Sequence, residues 1–145
     1  IHATGKSGYD EFMQSLEGVN LSEKVDIREY IVDMDVCMAA ADIVICRAGA
    51  ITLSELLACG KASILIPSPY VAENHQYHNG MVLQNAGAGF VFEEKDLKEN
   101  TIIDKIHELI LSPEKLDLLS ANSAKLYIGN TDERILKALK PLIKN

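Results

Sequence analysis

The alternation of short β-branched runs with longer helical patterns constrains the fold of this chain more than any other feature. The pattern predicts strands at residues 1–3, 25–31, 43–46, 63–66 and 89–92, with helices at 9–16, 33–41, 52–59 and 75–85. From about residue 100 to residue 145 the pattern is helical, with breaks near Ser112-Pro113 and Gly129-Asn130. Strands that are separated by helices form βαβ units around a parallel sheet. The later strands are apolar throughout, as in sheets that are buried on both faces. The sequence therefore predicts an α/β fold, a doubly wound parallel sheet that ends in a helical C-terminal tail.

Length and charge exclude several classes of protein. The 145 residues fit a single domain, 1–145, with a sizeable core. A net charge of −7 argues against a nucleic-acid-binding protein and against a polybasic membrane patch. No apolar run reaches the ~18 residues that a membrane-spanning helix needs. Three cysteines without a CxxC spacing predict reduced, buried thiols in a cytosolic protein. The chain begins at Ile1, in what reads as a strand end, so we expect a fragment of a longer protein.

The segment from Cys46 to Glu55 is the strongest candidate for a site. An apolar strand leads into the small residues Ala48-Gly49-Ala50, and a helix follows that carries Glu55 on its predicted first turn. The free N–H groups and positive end of a helix suit a phosphate, and a carboxylate suits the two hydroxyls of a ribose. A capping box, in which Thr52 caps the helix and Glu55 reaches back to it, is an equally good interpretation of the local pattern.

A second polar segment follows the strand at 63–66. It runs through Pro67-Ser68-Pro69-Tyr70 to Asn74-His75-Gln76 and should lie on the same edge of the sheet. Amide side chains donate and accept hydrogen bonds as sugar hydroxyls do, which favours sugar recognition. A solvated loop with Asn74 as a helix N-cap explains the same residues.

Other chemical signals are weak, and we predict no metal and no cofactor. Asp33-Met34-Asp35 imitates a metal-binding DxD motif, but acidic residues are expected at a helix start. His75 and His78 lack a third ligand. Thr4-Gly5-Lys6-Ser7 lacks the preceding glycine of a P-loop.

Taken together, these segments closely resemble the MurG family. The matching residues are the run from Ile45 to Glu55, the segment Ile66-Pro67-Ser68-Pro69-Tyr70, and Asn74-His75-Gln76. Members of this family are UDP-N-acetylglucosamine–N-acetylmuramyl-(pentapeptide) pyrophosphoryl-undecaprenol N-acetylglucosamine transferases of peptidoglycan synthesis. The resemblance implies the GT-B fold of two Rossmann-like domains, of which this chain is most of the C-terminal, donor-binding domain.

The resemblance also implies roles for individual residues toward UDP-N-acetylglucosamine (UDP-GlcNAc). Ile31 matches a position whose backbone meets the uracil, and Glu55 matches the carboxylate that holds the ribose hydroxyls. Gln76 matches a glutamine that contacts the sugar, and His75 stands where some members have another glutamine. The diphosphate is implied to lie at the helix start, at Gly49, Ala50, Ile51 and Thr52. Arg47 belongs to the same motif, and a structural role for it remains an alternative to ligand binding.

The family's other functions are implied to lie outside this chain. The acceptor-binding N-terminal domain, with the proposed general base and the membrane-associating patch, and the first strand of the C-terminal domain have no counterpart here. We therefore expect no catalytic residue in this chain. The full enzyme is expected to be an inverting, metal-independent transferase, cytoplasmic and peripheral on the inner face of the cell membrane. Its acceptor would be the lipid-linked muramoyl-pentapeptide.

Three alternatives remain open at this point. The first is a related transferase with another acceptor, such as a diacylglycerol glucosyltransferase. The second is a stand-alone donor-binding subunit that acts with a membrane-anchored partner, as in dolichol-linked GlcNAc transfer. The third is a GT-B epimerase, which would need catalytic carboxylates and a histidine that the sequence does not place.

Overall fold

Parallel strands joined by helices build the molecule, as the alternating pattern predicts. In the computed structural model, which describes residues 1–143, the strands form two parallel sheets, one of two strands and one of three. The chain likewise divides into two compact units, Ile1–Ala40 and a larger unit that starts at Ala41. The α/β class is confirmed, while the strands are distributed over two sheets.

The first unit contains a small sheet and two short helices. Its elements are β1 (His2–Ala3), α1 (Tyr9–Ser15), β2 (Ile27–Arg28) and α2 (Met34–Ala40). The two strands are parallel, with His2 opposite Ile27 and Ala3 opposite Arg28. The strand predicted at 25–31 is reduced to two residues, because β1 offers only two residues for pairing.

The second unit begins with three strands and two crossover helices. Its elements are β3 (Ile43–Cys46), α3 (Ala50–Ala58), β4 (Ala62–Leu65), α4 (His75–Asn85) and β5 (Gly89–Val91). The strand order is β3-β4-β5, and both pairs are parallel. Ile43 lies opposite Ala62, and Ser63 opposite Gly89. The helix predicted at 75–85 is confirmed, and Gly87 ends it with a left-handed φ of 66°.

The C-terminal tail is helical with the two predicted breaks. It comprises α5 (Thr101–Ile110), α6 (Pro113–Leu126), α7 (Thr131–Leu139) and a single 3₁₀ turn at Lys140–Leu142. Pro141 cannot donate a backbone hydrogen bond, so α7 does not continue to the end as predicted. Residues 144 and 145 lie outside the described part. Within residues 1–143, no helix has the length and apolar character to span a membrane.

Strand β4 is the centre of the core, since all four of its residues are buried. Ala62 and Ile64 form a buried cluster with Leu109 of α5 and Leu119 of α6. On the opposite face, a Cβ placed on Gly80 of α4 would lie 3.6 Å from Leu65. Helices therefore cover both faces of the three-stranded sheet, as a doubly wound fold requires.

The close contact between β4 and β5 explains why residue 89 is a glycine. The Ser63 hydroxyl at the same contact has no hydrogen-bond partner within residues 1–143. A Cβ at Gly89 would lie 2.5 Å from Ser63 Oγ and 2.8 Å from the Ser63 carbonyl oxygen, so only glycine fits there. The buried Ser63 hydroxyl has no hydrogen-bond partner in the described residues. Ser63 is the second residue of β4, so this hydroxyl lies inside the core.

Candidate functional site

The candidate residues of the second unit lie at the carboxyl edge of the three-stranded sheet. Strands β3 and β4 end at Cys46 and Leu65, and the segments that follow them lead into α3 and α4. Asn79 of α4 donates its side-chain amide to the Ala48 carbonyl oxygen at 3.5 Å, which ties α4 to the turn before α3. The two candidate segments, from Cys46 to Glu55 and from Pro67 to Gln76, are therefore neighbours at one edge of the sheet. Ligands of parallel α/β sheets bind at this edge.

Helix α3 presents an open N-terminus at this edge. Gly49 is its N-cap, and the Leu53 N–H makes the first intrahelical bond, to the Gly49 carbonyl oxygen at 2.9 Å. The N–H groups of Ala50, Ile51 and Thr52 precede that bond and point out of the helix end. No side chain caps them within the described chain. These three donors, at the positive end of the helix dipole, can receive a phosphate.

The predicted start of this helix is wrong by two residues, and the capping box is wrong with it. Thr52 is the third residue of α3 rather than its cap, and Glu55 lies in the second turn rather than the first. Local sequence supports a cap at Thr52, but the Gly49 carbonyl oxygen has already accepted the first helical hydrogen bond. This geometry removes the structural explanation for Glu55 as a capping residue.

Glu55 is free to accept hydrogen bonds from a ligand. Its side chain is exposed, and no hydrogen bond or ion pair is recorded for its carboxylate in residues 1–143. Thr52 and Glu55 are three residues apart and share one face of α3. The Thr52 hydroxyl lies on the side of Gly49, at 3.8 Å from where a Gly49 Cβ would stand. The Thr52 hydroxyl at the helix start and the Glu55 carboxylate one turn later therefore lie along one face of α3.

The backbone conformation of Gly49 does not require a glycine, but the missing side chain leaves space in front of α3. Its φ of −69° and ψ of 143° are open to any residue. A Cβ there would meet only the Thr52 hydroxyl, at an ordinary contact distance of 3.8 Å. Glycine at this position keeps open the approach to the free N–H groups rather than relieving backbone strain.

The segment after β4 contributes Gln76 and His75 at the start of α4. Gln76 is half-buried, and its Oε1 accepts the Ser68 N–H at 2.9 Å, so its two Nε2 hydrogens remain available. His75 is exposed and donates Nδ1–H to the Ala72 carbonyl oxygen at 2.9 Å, which leaves Nε2 as an acceptor. Both residues retain polar groups that can meet sugar hydroxyls.

Asn74 does not cap α4 with its side chain. It occupies the N-cap position in a left-handed conformation, with φ 51° and ψ 30°, and makes no capping hydrogen bond. Glu73 before it also has a positive φ, of 52°. The solvated-loop interpretation therefore describes the exposure of this segment correctly. Asn74 is the N-cap residue as predicted, although its side chain makes no capping hydrogen bond.

Ile31 is the one predicted ligand position in the first unit. It follows β2 and is half-buried, while Gly49 to Gln76 belong to the second unit. Its predicted contact with uracil remains a prediction.

Metal-binding and nucleophilic groups are scarce in the described part of the chain. No cluster of three or more His, Cys, Asp or Glu side chains could hold a metal ion in residues 1–143. The Asp33 carboxylate of the DxD-like segment instead accepts a hydrogen bond from Arg28 at 2.8 Å. The three cysteines are free, and burial raises the pKa of Cys46 to about 11, which keeps this thiol protonated. Cys59 is exposed, and Cys37 and Cys46 are only half-buried, so the prediction that the three thiols are buried is wrong.

The sequence did not predict a role for Glu94. It also did not predict that residues after β5 line a cavity together with the loop after β4. Glu94 follows β5 and forms an ion pair with Arg47. A cavity of about 540 Å³ opens beside it, and its walls include Pro67, Asn74 and Lys95. The only sequence signal was Arg47 inside the motif, since nothing local marks Glu94 as its partner.

Comparisons with known proteins agree on one family and one fold. The glycosyltransferase family 28 C-terminal domain matches residues 1–139. A UDP-N-acetylglucosamine–N-acetylmuramyl-(pentapeptide) pyrophosphoryl-undecaprenol N-acetylglucosamine transferase of Acetivibrio thermocellus is 46% identical over the whole chain, which covers 39% of that protein. The transferase of the same name from Thermoanaerobacter sp. is 44% identical over 96% of the chain and is also covered to 39%. The chain thus spans about two fifths of the length of these relatives.

Solved structures show the same architecture. The crystal structure of Acinetobacter baumannii MurG superposes on 94% of this chain with a TM-score of 0.82 at 21% identity, over 41% of its own length. The spinosyn forosaminyltransferase SpnP superposes on 86% of the chain with a TM-score of 0.67 at 18% identity, over 31% of its length. At these identities the likeness establishes the fold alone, a Rossmann-like α/β fold of the kind found in these two proteins.

Proposed function

Because the chain belongs to the family of glycosyltransferase family 28 C-terminal domains, we propose that it is the donor-binding part of an N-acetylglucosaminyltransferase. The whole enzyme moves GlcNAc from UDP-GlcNAc to a lipid-linked N-acetylmuramyl-pentapeptide in peptidoglycan synthesis. The names of the relatives at 46% and 44% identity support this donor and this acceptor.

The observation that carries the donor-binding role is the open start of α3 beside an unpaired carboxylate. The N–H groups of Ala50, Ile51 and Thr52 hold the diphosphate, and the exposed Glu55 carboxylate accepts the two ribose hydroxyls. Gln76 and His75 hold the sugar from the start of α4.

For the whole enzyme we infer the following transfer step from the family to which the chain belongs. The acceptor hydroxyl attacks the anomeric carbon of GlcNAc, the bond from that carbon to the β-phosphate oxygen breaks, and UDP leaves with inversion. The positive end of α3 stabilises the charge that develops on the leaving diphosphate. A general base takes the proton of the acceptor hydroxyl. We place this base, the acceptor site and the membrane contact outside these 145 residues, in an enzyme that works peripherally at the inner face of the cell membrane.

A titration of the chain with a panel of nucleotide sugars tests the proposal. UDP-GlcNAc should bind more tightly than UDP-glucose and UDP-GalNAc, and GDP-mannose should not bind in the same range. The chain alone should not transfer GlcNAc to a lipid-linked acceptor. Equal binding of GDP-mannose would contradict a uridine-specific donor site, and turnover by the chain alone would contradict the division of labour.

A further inference from the structure

Arg47 connects the ends of all three strands of the larger sheet. It follows β3 directly, and its Nη1 donates to the carbonyl oxygens of Ile66 at 3.2 Å and Pro67 at 3.4 Å, just after β4. The same guanidinium forms an ion pair with Glu94, just after β5. All three contacts are made by Nη1, whose two hydrogens are held in the plane of the guanidinium and are shared among two carbonyl oxygens and a carboxylate. The hydrogens of a lysine ammonium rotate freely, so lysine would not fix the directions of these contacts.

These contacts lead by one further step to the sugar-binding segment. The Pro67 carbonyl belongs to the peptide group that carries the Ser68 N–H, and that N–H donates to Gln76 Oε1 at 2.9 Å. This bond fixes the orientation of the Gln76 side-chain amide, whose Nε2 hydrogens are left for a ligand. Arg47 is therefore connected to the Gln76 side chain through the peptide group between Pro67 and Ser68.

The exposure of the pair argues against a mainly stabilising role. The side chains of Arg47 and Glu94 remain 53% and 34% exposed. Ion pairs at this exposure are screened by solvent and contribute little to stability. The three contacts of Arg47 instead restrict the backbone geometry of the segment after β4.

We propose that Arg47 is a positioning residue that sets the preference of the site for UDP-GlcNAc over UDP. It holds the segment after β4 so that Gln76 presents its amide hydrogens to the sugar. This inference rests on the proposed donor-binding function, because it assigns a specificity role within that same site.

The test separates the sugar's contribution from that of UDP. The ratio of the dissociation constants of UDP and UDP-GlcNAc is measured for the parent chain, Arg47→Ala, Arg47→Lys and the control Lys95→Ala. Lys95 forms an ion pair with Glu93, next to Glu94, whereas Arg47 pairs with Glu94. Arg47→Ala should lower the ratio about fivefold to tenfold, the worth of one or two sugar hydrogen bonds. Arg47→Lys should lower the ratio as Arg47→Ala does, both variants should bind UDP as the parent does, and Lys95→Ala should change neither quantity.

A second measurement does not depend on the ligand. Hydrogen exchange of the Ser68 amide in the ligand-free chain should accelerate in Arg47→Ala and remain at the parent rate in Lys95→Ala. An unchanged exchange rate of the Ser68 amide in Arg47→Ala would overturn the inference. Equal weakening of UDP and UDP-GlcNAc binding in Arg47→Ala would also overturn it, as would a parent-like ratio of dissociation constants in Arg47→Lys. A parent chain that binds UDP no better than GDP-mannose would instead overturn the donor-binding function, and Ser68 exchange would still decide the role of Arg47.

Discussion

At the scale of single residues, the site depends on where α3 begins. Thr52 and Glu55 match both a capping box and a ligand site in sequence, and local pattern does not distinguish the two. The N-cap at Gly49 does, because it places Thr52 inside the helix and leaves the Glu55 carboxylate without a structural partner in residues 1–143. The capping interpretation of Glu55 is therefore wrong, and its role as a ribose ligand stays a prediction.

Gly49 offers a prediction that separates folding from binding. Gly49→Ala should change the free energy of unfolding by less than about 1 kcal/mol, because the poorer N-cap is offset by the lower entropy of the unfolded chain. The added methyl group should still weaken UDP about tenfold, by obstructing the N–H groups at the start of α3. Chemical denaturation and calorimetric titration measure the two effects.

Uridine serves as the ligand control for this variant. It lacks the diphosphate, so Gly49→Ala should bind uridine as the parent does. A parallel loss of uridine and UDP binding would show that the methyl group disturbs the site as a whole, contrary to the phosphate assignment.

At the scale of elements, the sequence predicts the helices and strands well where periodicity or breakers are strong. The helix at 75–85 and the breaks near Pro113 and Asn130 are found as predicted. The errors lie where the partner strand or a backbone group decides. Strand β2 is limited by the length of β1, and α3 begins where the Gly49 carbonyl accepts its first bond. The Arg47–Glu94 pair, 47 positions apart in sequence, depends on the pairing of three strands, which no local pattern encodes.

An ion-pair network between α5 and α6 predicts a specific pH dependence. Glu108 of α5 contacts both Lys105 and Lys115, and these ammonium groups lower the pKa of Glu108 from 4.5 to about 2. A carboxyl group with a lowered pKa stabilises the fold above its unfolded pKa, and this contribution is lost as the pH falls from about 4.5 toward 2. The stability difference between the parent and Glu108→Gln should therefore be greatest near neutral pH and should vanish as the pH approaches 2.

Urea unfolding between pH 2 and pH 7 measures that difference, with Glu114→Gln as the control. Glu114 is exposed in the first turn of α6 and has no recorded ion pair in the described chain. A difference for Glu108→Gln that stays constant over this range would contradict the assigned network.

At the scale of the whole molecule, the chain consists of two units with unequal cores. Met38 is the one buried residue recorded in Ile1–Ala40, while the larger unit surrounds the fully buried strand β4. Native-state hydrogen exchange should reflect this contrast. Amides of Ala62–Leu65 should exchange about a hundredfold or more slowly than those of Ile27–Arg28, since local opening is easier where little apolar surface is buried. Uniform protection across both strands would contradict the contrast in core size.

The central claim is that this chain binds the uridine diphosphate of a sugar donor through α3, and Glu55 tests it most directly. Calorimetric titration with UDP compares the parent with Glu55→Ala and with Asp117→Ala, an equal charge removal in the second turn of α6. The loss of two ribose hydrogen bonds should weaken UDP by about 1.5–3 kcal/mol in Glu55→Ala, and Asp117→Ala should bind as the parent does. Removing a carboxylate that does not touch the ribose would leave the affinity for an anionic ligand unchanged or raise it. Either of these results for Glu55→Ala would contradict the account.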